Sequence, residues 1–374
     1  MRRVPFKKSL VGSIGVELEF QIVSPQTYTL VPRAKDLIRS LRESDFSRQI
    51  IPEITQSMIE INSSVHHSPA ELLREFEAIH DFLMHKAEAL AIRFCGGGVH
   101  PFQRWNLQKI FPTLRYKNLS QKYRYLSKRS TVFGQHIHVG CASARDALYL
   151  THALGRYVPQ FIALSACSPF YQGVDTGYYS SRSTIFTNFP MSGVIPYFLT
   201  WEEFSDYFYT LRRLGVIKSM KDFYWDVRPK PEFGTVEIRV CDTPLSMKKA
   251  VDITAYVQAL VLYLLREKPV TISHDLYYLY NYNRFQASRY GYEGEFIHPD
   301  SQTKIAIHDD ILQTWENIQD VADELNTREG IERLLDGVKT NQSDAQYLRD
   351  IYKEKGTYPQ VVAAQCQRWA EPLM

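Results

Sequence analysis

Acidic residues recur in this chain at alternate positions inside apolar runs. In GSIGVELEFQIV, residues 12–23, Glu17 and Glu19 sit among Val16, Leu18 and Phe20. Successive side chains of a strand point to opposite faces, so the apolar residues share one face and the two acids the other. SMIEIN (57–62) sets Ile59 and Ile61 against Met58, Glu60 and Asn62, and QHIHVG (135–140) sets Ile137 and Val139 against His136 and His138. TVEIRVCD (235–242) sets Val236, Ile238 and Val240 against Glu237, Arg239 and Cys241. An ordinary solvent face mixes Lys, Thr, Ser and Glu, and lysine is almost missing from these. If the four segments lie side by side, their polar faces form one acidic floor containing histidine. Oxygen donors with an imidazole suit Mg²⁺ or Mn²⁺. Mg²⁺ keeps positions open for water and phosphate, so such a floor is a seat for a nucleotide's polyphosphate. Arg182, Arg228 and Arg239 are candidates to neutralise charge during phosphoryl transfer.

A further acid joins through PEITQSMIE. A hairpin with its loop at residues 55–58 sets Ile54 opposite Ile59 and Glu53 opposite Glu60, and opposed like charges need a cation or a proton. The alternative register turns Glu53 to water. Each residue also has an ordinary reading. Single strand glutamates are mostly solvated, a His-x-His pair can be satisfied by backbone partners, and Arg239 can pair with nearby acids. The chemical reading rests on the coincidence across segments. One rival is a metal-dependent hydrolase with zinc on His136 and His138, which leaves five glutamates idle. A non-catalytic nucleotide-binding protein is another.

The elements that position these residues are announced by their own punctuation. Ser68, Pro69 and Glu71 predict a capped helix with Leu72, Leu73, Phe76, Ile79 and Leu83 at helical spacing. Thr200 and Glu203 open a second helix, ending at Gly215. Ser143 caps a third, which Pro159 should interrupt, and a fourth runs from about Ser246 to Lys268. CGGGVHPF (95–102) reads as a tight turn after a strand, with neither a P-loop nor a Rossmann fingerprint in the chain. EFIHPDSQTKIAI reads as a hairpin about Pro299 and Asp300, and the pattern is helical after about residue 308. The expected fold is α+β, an antiparallel sheet with helices on one face. Residues 1–300 form the catalytic domain, and 301–374 form a helical segment packed on it.

Bulk properties narrow the function classes. Across 374 residues, 44 basic side chains nearly balance 41 acidic ones, for a net charge of +3, too mild to argue for nucleic acid. RYKNLSQKYRYLSKR (115–129) interleaves tyrosine with basic residues, as a single-strand-binding surface does; a solvated helix or loop with buried tyrosines is the favoured reading. Five dispersed cysteines fit reduced, buried thiols in a cytoplasmic protein. No secretory signal is visible at the start, and AYVQALVLYLL (255–265) is too short to span a bilayer, so neither export nor a membrane partner is expected.

With these blocks assembled, the chain resembles the carboxylate-amine ligases of the glutamate-cysteine ligase type 2 family. GVELEF, PEITQSMIEIN, GQHIHVG, ALSACSPFYQGVDTGYYSSRS, WDVRP and GTVEIRVCD stand in that family's order, and NRFQASRYG (283–291) also matches. The resemblance implies a glutamine-synthetase-like antiparallel β-sheet funnel around two or three divalent ions. It implies Glu17, Glu19, Glu53, Glu60, His136 and Glu237 as metal ligands. Arg182 and Arg239 then contact nucleotide or acyl phosphate, Arg228 lies near substrate or phosphate, and His138 is a polar floor residue of the binding site. Glutamate or a similar acid, cysteine or a similar amine, and ATP are the implied small-molecule substrates, with a homodimer as the implied assembly. His66 and His67 fall outside the pattern, and Cys167 and Cys241 match no functional position.

Overall fold

A computed structural model describes residues 2–373. The alternating segments form strands of one sheet: β1 (Ile14–Val23), β2 (Ile50–Pro52), β3 (Met58–Asn62), β4 (Arg93–Cys95), β5 (Gly134–Gly140), β6 (Val227–Lys230) and β7 (Thr235–Asp242). Their order is β6-β7-β5-β1-β3-β2, with β4 paired to the end of β1. Every pair is antiparallel. This is the α+β architecture expected from the pattern.

The apolar face holds Val16, Leu18, Phe20, Ile59, Ile61, Ile137, Val139, Val236 and Ile238, all buried in the main core. Helices cover this face. Pro69–Ala89 begins with the expected capping box of Ser68 and Glu71, and Trp201–Arg213 begins with the Thr200–Glu203 box. Met247–Glu267 is capped by Ser246, and most of the apolar run at 255–265 is buried within it. Pro159 interrupts as expected: Ala144–Ala153 gives way to a 3₁₀ turn at Leu154–Tyr157 before Val158–Ser165 resumes. The hairpin pairs Glu295–Ile297 with Lys304–Ala306. Four helices follow, Ile307–Glu324, Arg328–Lys339, Asp344–Lys355 and Tyr358–Ala370, and the last stacks Trp369 on Phe20 of β1 at 5.1 Å between rings.

Two registers differ from expectation. Ile51, not Glu53, pairs with Glu60, because β2 ends at Pro52, which has no N–H for the ladder. The loop beyond it bonds instead to a neighbouring segment, with Gln56 N donating to Lys109 O and Phe111 N to Ile54 O. The second difference is a bulge in β7: Ile238 pairs with Ile137, but Cys241 rather than Val240 pairs with Gln135. One additional residue reverses the alternation. Cys241 therefore turns to the helical side, with its thiol 3.9 Å from Phe161 O, and does not share the face of Glu237 and Arg239.

All five cysteines are free and buried. Among the described residues no helix is long and apolar enough to cross a membrane.

Candidate active site

The polar face of the sheet floors a cavity of about 590 Å³. Glu17 pairs across the ladder with Asn62 on one side and His136 on the other, Glu19 pairs with Glu60, and Glu237 lies between His138 and Arg228. Three overlapping sets of side chains could hold a cation, each with ligand atoms within 4.8 Å of one another: Glu19, Glu53 and Glu60; Glu17, Glu60 and His136; and Glu17, His138 and Glu237. All six acids and imidazoles expected as metal ligands thus converge. Glu53 reaches the cavity from the loop after Pro52 instead of from a ladder position opposite Glu60. No set joins the two histidines to each other, which counts against a zinc site built on His-x-His.

His136 is placed to accept a metal ion. Its Nδ1 lies 2.8 Å from Glu17 Oε2, while its Nε2 is buried and has no partner. Burial, with Arg239 nearby, pulls the imidazole down to about 4, so it is neutral at neutral pH. Burial would raise the Glu17 carboxyl, but hydrogen bonds with His136 and His138 hold it well below its ordinary range. An ionised Glu17 can only accept, so Nδ1 carries the proton and Nε2 presents a lone pair. A buried lone pair beside carboxylates suits a divalent ion. His138 is engaged at both nitrogens, by Thr235 Oγ1 at 3.1 Å and Glu17 Oε1 at 3.3 Å.

Glu237 is fully buried beneath two guanidiniums. Arg228 Nε donates to Oε2 at 2.5 Å and Nη2 to Oε1 at 3.1 Å, and Arg239 Nη1 donates to Oε1. Burial favours the neutral acid, but the charges of Arg228 and Arg239 override it and keep Glu237 well below the usual range. The other trio behaves oppositely. Burial and the Glu53 charge push Glu19 up to about 8. Burial raises Glu53 against the pull of Arg115, and burial with the charges of Glu53, Glu17 and Glu19 lifts Glu60 well above the ordinary value.

Arg228 and Arg239 line the cavity and Arg182 does not. Arg182, expected at nucleotide or acyl phosphate, is 2% exposed and lies behind the floor. Its Nη1 donates to the carbonyls of Arg239 at 3.3 Å and Val240 at 3.2 Å. Gly134 makes room for it, since a Cβ there would run into the guanidinium, and the Gly134 N–H donates to Glu19 Oε2 at 2.7 Å.

Several lining residues escaped the sequence reading. The basic tyrosine-rich run forms two helices, Leu114–Tyr123 and Tyr125–Arg129, and Arg115, Tyr116, Leu119 and Tyr123 of the first wall the cavity. Tyr116 Oη donates to Pro52 O at 3.0 Å and lies 3.2 Å from Glu53 Oε1. The spacing 115, 116, 119 and 123 marks one helical face and was the available signal. Lys7 and Lys230 also line the cavity, and Lys230 falls two residues after Arg228, on the same strand face. His66 stays outside the ligand sets and pairs with Glu75 at 2.8 Å.

An antiparallel sheet whose inner face gathers buried acids, an unpartnered imidazole and cavity-lining guanidiniums has the chemistry of a pocket for charged small molecules. The family follows from comparison: the chain belongs to glutamate-cysteine ligase family 2, whose model matches residues 13–364. It is an enzyme of the carboxylate-amine ligase type. A protein of Legionella pneumophila (strain Lens), provisionally named glutamate-cysteine ligase 2-2, is 57% identical over 369 residues, covering 99% of this chain and 96% of the relative. One from Herminiimonas arsenicoxydans, provisionally named glutamate-cysteine ligase 2, is 49% identical over 364 residues, covering 97% and 98%. Among solved structures, the glutamate-cysteine ligase of Francisella tularensis in complex with AMP shares the fold at a TM-score of 0.71 and 13% identity, over 99% of this chain and 91% of that one. A bifunctional glutathione synthetase from Pasteurella multocida aligns at 0.69 and 15% identity, over 96% and 52%.

Proposed function

We propose that this enzyme condenses the γ-carboxylate of glutamate, or a similar acid, with the amine of cysteine, or a similar amine, while ATP is cleaved to ADP and phosphate. A free carboxylate resists attack because its charge is delocalised and its leaving group would be oxide. Transfer of the γ-phosphoryl group to the carboxylate gives an acyl phosphate, and the amine then displaces phosphate to form the amide. Two or three divalent ions, Mg²⁺ or Mn²⁺, would neutralise phosphate charge and align the attacking and leaving oxygens when bound. Glu19, Glu53 and Glu60 would hold one site, Glu17, Glu60 and His136 a second, and Glu17 and Glu237, beside His138, a third. Arg239 and Arg228 neutralise phosphate charge from the cavity wall, which requires them to share Glu237 with the incoming anion. Arg182 acts from behind by fixing the carbonyls of Arg239 and Val240, and His138 holds Glu17 from its second oxygen at the nucleotide side.

The observation that carries this reading is the meeting of Glu17, Glu60, His136 and Glu237, from four strands, beneath one cavity. The test incubates purified protein with ATP, Mg²⁺, glutamate and a panel of amino acids, and scores ADP and a new amide by mass. ADP and amide that both require the acid and the amine support the reading. ATP-independent hydrolysis would favour the zinc hydrolase, and bound but uncleaved ATP would favour the non-catalytic binder. The five free thiols and the proposed use of ATP support a cytoplasmic location, which cell fractionation checks, and light scattering checks the proposed homodimer.

A further inference from the structure

The block NRFQASRYG (283–291) contributes no residue to the cavity lining, yet its side chains reach the two segments that set Arg239. Arg284 is the junction. On one side its Nε donates to Asp226 Oδ2 at 2.7 Å, an oxygen that also accepts from Tyr280 Oη at 2.7 Å. The backbone carbonyl of Asp226 in turn accepts the Arg239 N–H at 2.8 Å, so this aspartate fixes the start of the β7 bulge. On the other side Arg284 Nη2 donates to Ser183 O at 3.0 Å, the residue after Arg182. Arg182 reaches back to the carbonyls of Arg239 and Val240.

The rest of the block holds the same loop. Ser183 Oγ donates to Ser288 Oγ at 2.8 Å, and Ser288 O accepts the N–H groups of Tyr179 at 2.9 Å and Ser180 at 3.0 Å. Arg289 Nη1 donates to Gly177 O. Gly291 has φ +61°, where a Cβ would strike the Tyr179 ring. Arg284 is 8% exposed, and its two partners lie on segments about 40 residues apart in sequence, so one planar fork joins what the chain separates.

We propose that Arg284 is a positioning residue for the ligase reaction, holding the Arg239 guanidinium over Glu237 through Asp226 on one side and Ser183–Arg182 on the other. This rests on the proposed role of Arg239 at the phosphates. Lysine in place of Arg284 retains the charge opposite Asp226 but lacks the fork that also meets Ser183. The misplacement acts on the transition state more than on ground-state binding.

The test is a double-mutant cycle with Arg284→Lys and Arg239→Lys, reading kcat, the KM for ATP and the melting temperature. Arg284→Lys is expected to lower kcat about tenfold with the KM for ATP within about threefold. The double variant is expected to be no slower than Arg239→Lys alone, because the two act as one unit. Tyr280→Phe, which removes one donor to Asp226 with little change of volume, should lower kcat by about threefold and guards against a lysine variant that folds poorly. Additive losses, or an unchanged kcat per folded molecule in both Arg284→Lys and Tyr280→Phe, would overturn the inference. If the wild-type protein releases no ADP in the presence of acid and amine, the proposed function is what fails. The same cycle is then read on Mg-ATP affinity by calorimetry, where additivity again refutes the role of Arg284.

Discussion

Two groups of acids stand on one sheet floor and differ in what surrounds them. Glu17 and Glu237 are held ionised, the first by hydrogen bonds with two imidazoles and the second by two guanidiniums. Glu19, Glu53 and Glu60 receive hydrogen bonds from Gly134, Ile54, Tyr116 and Asn62, and their carboxyls are displaced upward by burial and by one another. Within the first group Glu237 is already balanced by Arg228 and Arg239, so an anion can approach there by competing with Glu237 for the arginines. The second lacks such a balance and must hold protons or a cation. Under the proposed function the contrast gives the two ends different work: phosphate handling beside Glu237, and retention of a divalent ion beside Glu60.

Substitution of the residue that both ends need should have the largest effect. Glu17 belongs to two of the three ligand sets, and Glu17→Gln should lower amide formation by roughly a thousandfold, since several kcal/mol of metal-borne stabilisation disappear. Its melting temperature should fall little; a large drop with activity retained per folded molecule would make Glu17 structural. Glu60→Gln separates the ends. It should cost about a hundredfold in turnover, yet raise the melting temperature of the metal-free protein at pH 8 by about 2 °C by relieving like charges. Destabilisation of the metal-free protein by that change would contradict the crowding.

The acid trio also sets a pH dependence. Glu19 has a folded value of about 8 against an ordinary 4.5, so its contribution to stability is present at low pH and is lost as pH rises through about 8. The metal-free protein should therefore melt progressively lower from pH 6 to pH 9. Added Mg²⁺, which replaces the protons, should restore more of the melting temperature at pH 9 than at pH 6. An equal shift at both values would show that the trio is already ionised. The smallest expected effect is Tyr116→Phe, which removes one hydrogen bond to Glu53 and should reduce kcat about fivefold, measured as ADP release.

Much of this was legible from strand alternation. A period of two, repeated with acids and histidines in four segments, announces both the sheet and the face on which chemistry sits, and the helix caps at Ser68, Ser143, Thr200 and Ser246 mark their own positions. What alternation does not encode is where pairing stops. Glu53 was expected at the site, but its route there was not legible, because Pro52 ends its strand and the next residues bond to the 109–111 segment, a contact across more than 50 residues. Cys241 was misplaced because a bulge is invisible to a period of two. Arg115 and Tyr116 were missed for another reason: a solvated basic helix and a helix walling a polar cavity carry the same residue types. Arg182 shares its block with residues expected at the site, but whether a guanidinium meets a ligand or a carbonyl depends on the room that Gly134 leaves.

The bulge of β7 makes the chain more sensitive to length than to composition at this point. Past it, Cys241 faces the helices and Asp242 accepts from Ser168 Oγ at 2.6 Å and Ser180 Oγ at 2.8 Å, tethering the segment that carries Arg182. Deleting a single codon between Ile238 and Cys241 would exchange those two side chains, burying a carboxylate among helices and leaving both serines without their acceptor. Substitutions there can be absorbed by repacking, whereas insertions and deletions transpose the whole downstream strand.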